Sequence, residues 1–281
     1  MTADARSVES LLAFWADAGV EASYADAPID RTANSPLLTR GASATAPSSP
    51  TAPARAPKAA HFVPAPAAAP APFDPTPGIA EAGRLAVQAA DLDALKAAIA
   101  AFDGCGLKFD GARQAVFARG APDAPVMVIG EGPGGDEDQQ GEPFVGKAGK
   151  LLDKMLAAAG LTGRVFITNT VFWRPPGNRT PTAAEQLICA PFLERAIQLV
   201  KPRVLLLVGG ASAKSVLNRS EGILSLRGRW CEWRSADGAV ELPAMPTLHP
   251  AFLLRQPAAK KKAWDDLLML AERVDRPDRP A

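Results

Sequence analysis

With 281 residues, 47% of them hydrophobic, the chain can hold one large domain or two small ones and has ample apolar material for a buried core. No apolar run approaches the ~20 residues that cross a bilayer, and the N-terminus lacks a basic segment followed by an apolar stretch and a cleavage site, so a cytoplasmic chain with no membrane partner is expected. A net charge of +1 leaves a nucleic-acid partner open, since phosphate contacts need a local basic patch, and three widely spaced cysteines argue against a disulfide framework.

In chain order, residues 1–33 hold a short amphipathic helix, Ser7 to Ala18, with Leu11, Leu12, Phe14 and Trp15 on one face. It reads as a docking helix for a protein partner. Residues 34–78 turn to Ala, Pro, Ser and Thr with few large apolar side chains, too little to offset the entropy of ordering, and are expected to be a disordered linker. The folded domain is then residues 79–281. Ile79 to Phe102 carries Ala, Leu and charge at helical spacing, with a candidate break near Asp91. Val126–Gly130, Val165–Thr170 and Val204–Gly209 are short apolar runs read as strands, with helices at Gly149–Gly160 and Thr182–Leu199 between them and a hairpin around Cys231. Buried strands alternating with helices predict an α/β fold on a parallel sheet covered on both faces. Its ligand would sit at the carboxyl ends of the strands, where the loops after Gly130, Thr170 and Leu248 should converge.

Gly130-Glu131-Gly132-Pro133-Gly134-Gly135 fits the G-x-G-x-x-G pattern of a dinucleotide site. Asp136, Glu137 and Asp138 argue against it, because three carboxylates would face the pyrophosphate, and Pro133 removes an N–H from the cradle. Extended through Asp138 and continued by Gly141-Glu142-Pro143-Phe144-Val145-Gly146-Lys147-Ala148-Gly149, the string resembles the first motif of the family 4 uracil-DNA glycosylases. The likeness runs on through Asn169, Arg174-Pro175-Pro176-Gly177-Asn178-Arg179-Thr180-Pro181, Cys189 and His249-Pro250-Ala251-Phe252-Leu253-Leu254-Arg255, covering about Gly104 to Leu270.

The resemblance implies a three-layer α/β/α fold with a central, mostly parallel four-stranded sheet, and a monomeric enzyme that hydrolyses the N-glycosidic bond of deoxyuridine in single- or double-stranded DNA. An enzyme acting on a base must flip it into a pocket. By the resemblance Phe144 stacks on the flipped uracil, and His249 faces its O2 as the donor to the departing base. Asn169 offers a donor and an acceptor that match uracil O4 and N3–H. Gly130 and Gly132 line the substrate pocket. Glu131 and Glu137 are the candidate carboxylates for orienting water, with the role open between them; some other uracil glycosylases carry an aspartate at the place of Gly132, which counts against a simple general-base scheme here. Asp136 and Asp138 read as solvated or helix-capping residues. Leu253 and Leu254 read as a wedge filling the gap in the duplex, with Arg174, Arg179 and Arg255 as phosphate contacts. Lys260, Lys261 and Lys262 would add to them.

Members of this family hold a four-iron four-sulfur cluster on four cysteines. Here Cys105 and Cys189 match two of them, whereas Lys108 and Trp173 stand at the other two positions, so no cluster and no metal are expected. Trp173 would fill the vacated volume, with Lys108 over its face. Two rival readings are a protein that captures uracil-DNA, covalently or with weak or no turnover, and a repair adaptor tethered through the N-terminal helix.

Overall fold

The computed structural model describes residues 74–276. The docking helix and the linker up to residue 73 lie outside the described residues. Residues 76–78, expected as the linker's end, already belong to a helix: α1 (Thr76–Gln88) starts with Pro77 in its first turn, where proline's missing N–H has no partner to lose. The break near Asp91 is real. Asp91 accepts the Ala94 N–H at 2.8 Å and caps α2 (Leu92–Ala101).

The remaining elements are β1 (Ala118–Gly120), β2 (Val126–Gly130), α3 (Gly135–Gln140), α4 (Lys147–Ala158), β3 (Val165–Asn169), α5 (Ala183–Val200), β4 (Val204–Val208), α6 (Gly210–Leu217), α7 (Ile223–Leu226), β5 (Cys231–Arg234), β6 (Glu241–Thr247), α8 (Pro250–Arg255) and α9 (Lys260–Asp275). The sheet has six strands in the order β1-β3-β2-β4-β6-β5, not four. Its central β3, β2, β4 and β6 are parallel, as expected, and two short antiparallel edge strands close it. β1 escapes the sequence because Ala-Arg-Gly has no apolar pattern and its pairing comes entirely from β3.

β6 contains Pro243 and Pro246, which speak against an internal strand. The ladder tolerates Pro246 because that residue faces away from β4: Gly209 donates to Thr247 O on the β4 side, while Gly228 donates to Pro246 O from the other side, beyond the end of β5.

β2, β3 and β4 are buried throughout. Alternate side chains divide between two cores. Met127, Ile129, Phe166, Leu205 and Leu207 pack with α1, α2 and α5, while Val126, Val128, Ile167, Leu206 and Val208 pack with Leu152 and Leu156 of α4 and Leu267 and Leu270 of α9. This is the three-layer arrangement. No helix among the described residues is long and apolar enough to cross a membrane.

Candidate active site

The three strand-end loops do converge. A cavity of about 560 Å³ is walled by Glu131 and Gly132 after β2, Asn169 and Pro175 after β3, and His249, Phe252 and Arg255 after β6, with Phe144 and Glu137 beside them. Phe144, Asn169 and His249 therefore share one cavity. The rings of Phe144 and His249 lie 5.8 Å apart between centroids, tilted by 31°.

Asn169 ends β3 and is buried, yet its Oδ1 has no hydrogen-bond partner among the described residues. A buried carbonyl left unpaired costs about 1–3 kcal/mol, so this atom is set to accept from a ligand N–H. Gly130, opposite Asn169 in the ladder, does not itself line the cavity. Its role is to lack a side chain: a Cβ there would strike Asn169 Oδ1 and come within 2.5 Å of Phe144 Cζ. Gly132 does line the cavity, and a Cβ on it would sit 2.9 Å from Val171 Cγ2.

His249 caps α8. Its Nδ1 accepts the Ala251 N–H at 3.1 Å, which puts the ring proton on Nε2 and leaves that N–H as the donor available to a ligand. Burial, helped by the nearby Arg255 charge and opposed by Glu137, pushes the imidazole down to about 4. The ring is thus neutral at ordinary pH. Gly209, at φ +98°, passes behind it, with a Cβ position 3.1 Å from His249 Cβ. That glycine was missed in the sequence, although its place at the carboxyl end of β4 is where a ligand loop belongs.

Glu137 and Glu131 have separate lives. Glu137 Oε1 accepts the N–H groups of Val145 and Gly146, each at 3.0 Å, and Oε2 accepts that of Gly134 at 3.0 Å. Its carboxylate is spent on tying the glycine-rich loop to the loop that carries Phe144. Glu131 lines the cavity with no side-chain hydrogen bond among the described residues, and its backbone carbonyl accepts from Thr170 Oγ1 at 2.6 Å. Phe144 has φ +56°, a region that costs a side chain with a Cβ on the order of 1–3 kcal/mol and survives only where the surroundings enforce it.

The wedge requires correction. Leu253 is fully buried against Leu248 and Ala263, because the helical turn of α8 points it inward. Leu254, one position on, is exposed, as is Arg255. Arg179 reaches the cavity rim but is paired with Glu185 at 2.6 Å, and Arg174 lies outside the cavity, donating to Asn178 Oδ1 at 2.7 Å. Asp136 is exposed, whereas Asp138 is buried and accepts the Arg113 N–H at 2.8 Å rather than meeting solvent.

Cys105 and Cys189 are both buried, and the influence of each on the other lowers the Cys105 thiol and, together with burial, raises that of Cys189. Lys108 is not over Trp173. Its ammonium donates to the Ala100 and Phe102 carbonyls and pairs with Asp103 at 2.7 Å, closing the end of α2. Trp173 is buried at ring distances of 6.3 Å from both Phe102 and Phe172. With two thiols, a tethered ammonium and an indole at the four positions, the residues do not fit an iron–sulfur cluster. No group of three or more His, Cys, Asp or Glu able to hold a metal ion occurs among the described residues.

Residues 117–268 match the family model described as the uracil DNA glycosylase superfamily. The chain is 41% identical over 162 residues to a type-4 uracil-DNA glycosylase of Pyrobaculum aerophilum, covering 56% of this chain and 82% of that protein. It is 37% identical over 171 residues to that of Sulfurisphaera tokodaii, 59% and 77% of the two chains, and 37% identical over 142 residues to that of Thermotoga maritima, 50% and 71%. On that match and these identities, this chain belongs to the uracil-DNA glycosylase superfamily and, within it, to the type-4 family.

Proposed function

We propose that the protein is a monofunctional uracil-DNA glycosylase, hydrolysing the bond between uracil and deoxyribose and leaving an abasic site. The observation that carries this is the joint placement of an unpaired Asn169 Oδ1, the Phe144 ring and a neutral His249 around one cavity. Uracil presents N3–H to such an acceptor and O4 to the amide N–H₂ beside it. Cytosine offers the reverse polarity. Stacking on Phe144 holds the flipped base, and the His249 Nε2–H meets O2, where negative charge collects as the glycosidic bond breaks.

Glu131, the cavity carboxylate with no structural bond, is the better candidate for orienting the attacking water and facing the positive sugar. Leu254, Arg255 and Lys260 to Lys262, all exposed, are proposed to meet DNA. The enzyme is proposed to work as a cytoplasmic monomer without a cluster, with residues 1–33 serving a protein partner. A uracil-containing oligonucleotide incubated with wild type, Asn169→Ala and His249→Ala tests the reading. Loss of the His249 donor should slow release about 100- to 1,000-fold; equal rates in all three proteins would refute the assignment.

A further inference from the structure

The loop of Phe144 is gripped from two sides, and only one grip, Glu137, belongs to the cavity wall. The Pro143 and Phe144 carbonyls are taken by Arg119, a residue of the edge strand β1 that does not line the cavity. Arg119 Nε donates to Pro143 O at 2.7 Å, and Nη2 donates to Phe144 O at 3.2 Å. The same Nη2 pairs at 2.6 Å with Asp153 of α4, which fixes the guanidinium's direction. Opposite this, Glu137 holds the next two N–H groups, of Val145 and Gly146. Phe144, with its positive φ, is thus flanked by a cation on the Pro143 and Phe144 carbonyls and an anion on the N–H groups of the two residues that follow it.

Gly149 lets this happen. A Cβ on it would lie where the Phe144 carbonyl sits, so the loop can lean on the first turn of α4. The planar fork of arginine reaches two successive carbonyls and a carboxylate together, which the single ammonium of lysine cannot.

We propose that Arg119 is a positioning residue for base recognition: it holds the Phe144 ring at stacking distance before the base arrives, with Asp153 orienting it. The proposal rests on the uracil-release reading above. Arg119 is partly exposed and Asp153 about half exposed, so their pair adds little to stability. Its consequence lies in the ring.

The test is a double-mutant cycle on uracil release, with Arg119→Ala, Phe144→Ala and the double variant, alongside Arg119→Lys, Asp153→Asn and thermal melting. A base stacks on its aromatic partner in ground and transition states alike, so Arg119→Ala should raise KM by about 5- to 150-fold, the range for a lost base–aromatic stack, with kcat within about 2-fold. Arg119→Lys should recover only part of this, and Arg119→Ala should add nothing to Phe144→Ala. Should Arg119→Ala fail to fold, Arg119→Lys and Asp153→Asn carry the same cycle. Effects that multiply in full on the Phe144→Ala background, or a fall in kcat that tracks the unfolded fraction at unchanged KM, would overturn the proposal while leaving the glycosylase reading standing. A wild type that releases no uracil would remove both.

Discussion

His249 shows how one residue's surroundings set a pH response. Its value in the fold, about 4, lies below the ordinary 6.5 because burial disfavours the charged ring. Between those two values the unfolded chain binds a proton that the folded chain refuses. Stability therefore falls as pH drops through 6.5 toward 4 and levels off below, by an amount on the order of 3 kcal/mol. Catalysis follows the folded value: kcat/KM, which reports the free enzyme, should stay level from about pH 8 to about pH 5 and fall only near 4, where the ring becomes cationic and its bond to the Ala251 N–H is lost. A pH–rate profile with an inflection at 6.5 would show that the ring is not shielded. The residue itself was legible in the sequence, being one of only two histidines and standing within a long motif. Its tautomer was not, because that depends on a cap made by the fold.

At the scale of elements, α8 separates two neighbours that the sequence treats alike. Leu253 and Leu254 both suit a wedge by composition, but in a helix consecutive residues point about 100° apart, and the anchoring of Pro250 and Leu253 inside decides which one is outside. Leu253→Ala should lower stability by about 2–5 kcal/mol, read from denaturant unfolding, as for other buried leucines. Leu254→Ala should leave the melting temperature nearly unchanged and weaken activity on double-stranded more than on single-stranded uracil-DNA, since only a duplex leaves a gap to fill. The end of β6 that delivers His249 is fastened in the same neighbourhood, with buried Asp266 of α9 accepting from Thr247 Oγ1 at 2.7 Å and from Arg227 Nε at 3.1 Å. Periodicity could not announce that tie, which spans side chains far apart in the chain.

For the whole molecule, the two positions where the family likeness expects cysteines are built into the fold otherwise: Trp173 packs with Phe102 and Phe172, and Lys108 caps the end of α2. Aerobically and anaerobically purified protein should carry no stoichiometric iron and no broad absorption near ~400 nm; a brown, iron-loaded sample would contradict the donor set. A chain beginning at Asp74 should cleave naked uracil-containing oligonucleotides as well as the full chain does, since, among the described residues, those that line the cavity fall within 131–255. A large loss of intrinsic cleavage on truncation would place residues 1–73 in the catalytic unit.

By itself, the sequence determined three of the four parallel strands, the loops at their carboxyl ends and the residue types around the cavity, because apolar runs of fixed length and a long local motif are local properties of the chain. Tertiary structure alone decided that Glu137 is a strap and Glu131 a free carboxylate, that Leu253 faces inward, and that Arg119 reaches the Phe144 loop. Those outcomes depend on which backbone groups the folded loops leave unpaired, and hydrogen-bond demand of that kind exists only once distant segments have been brought together.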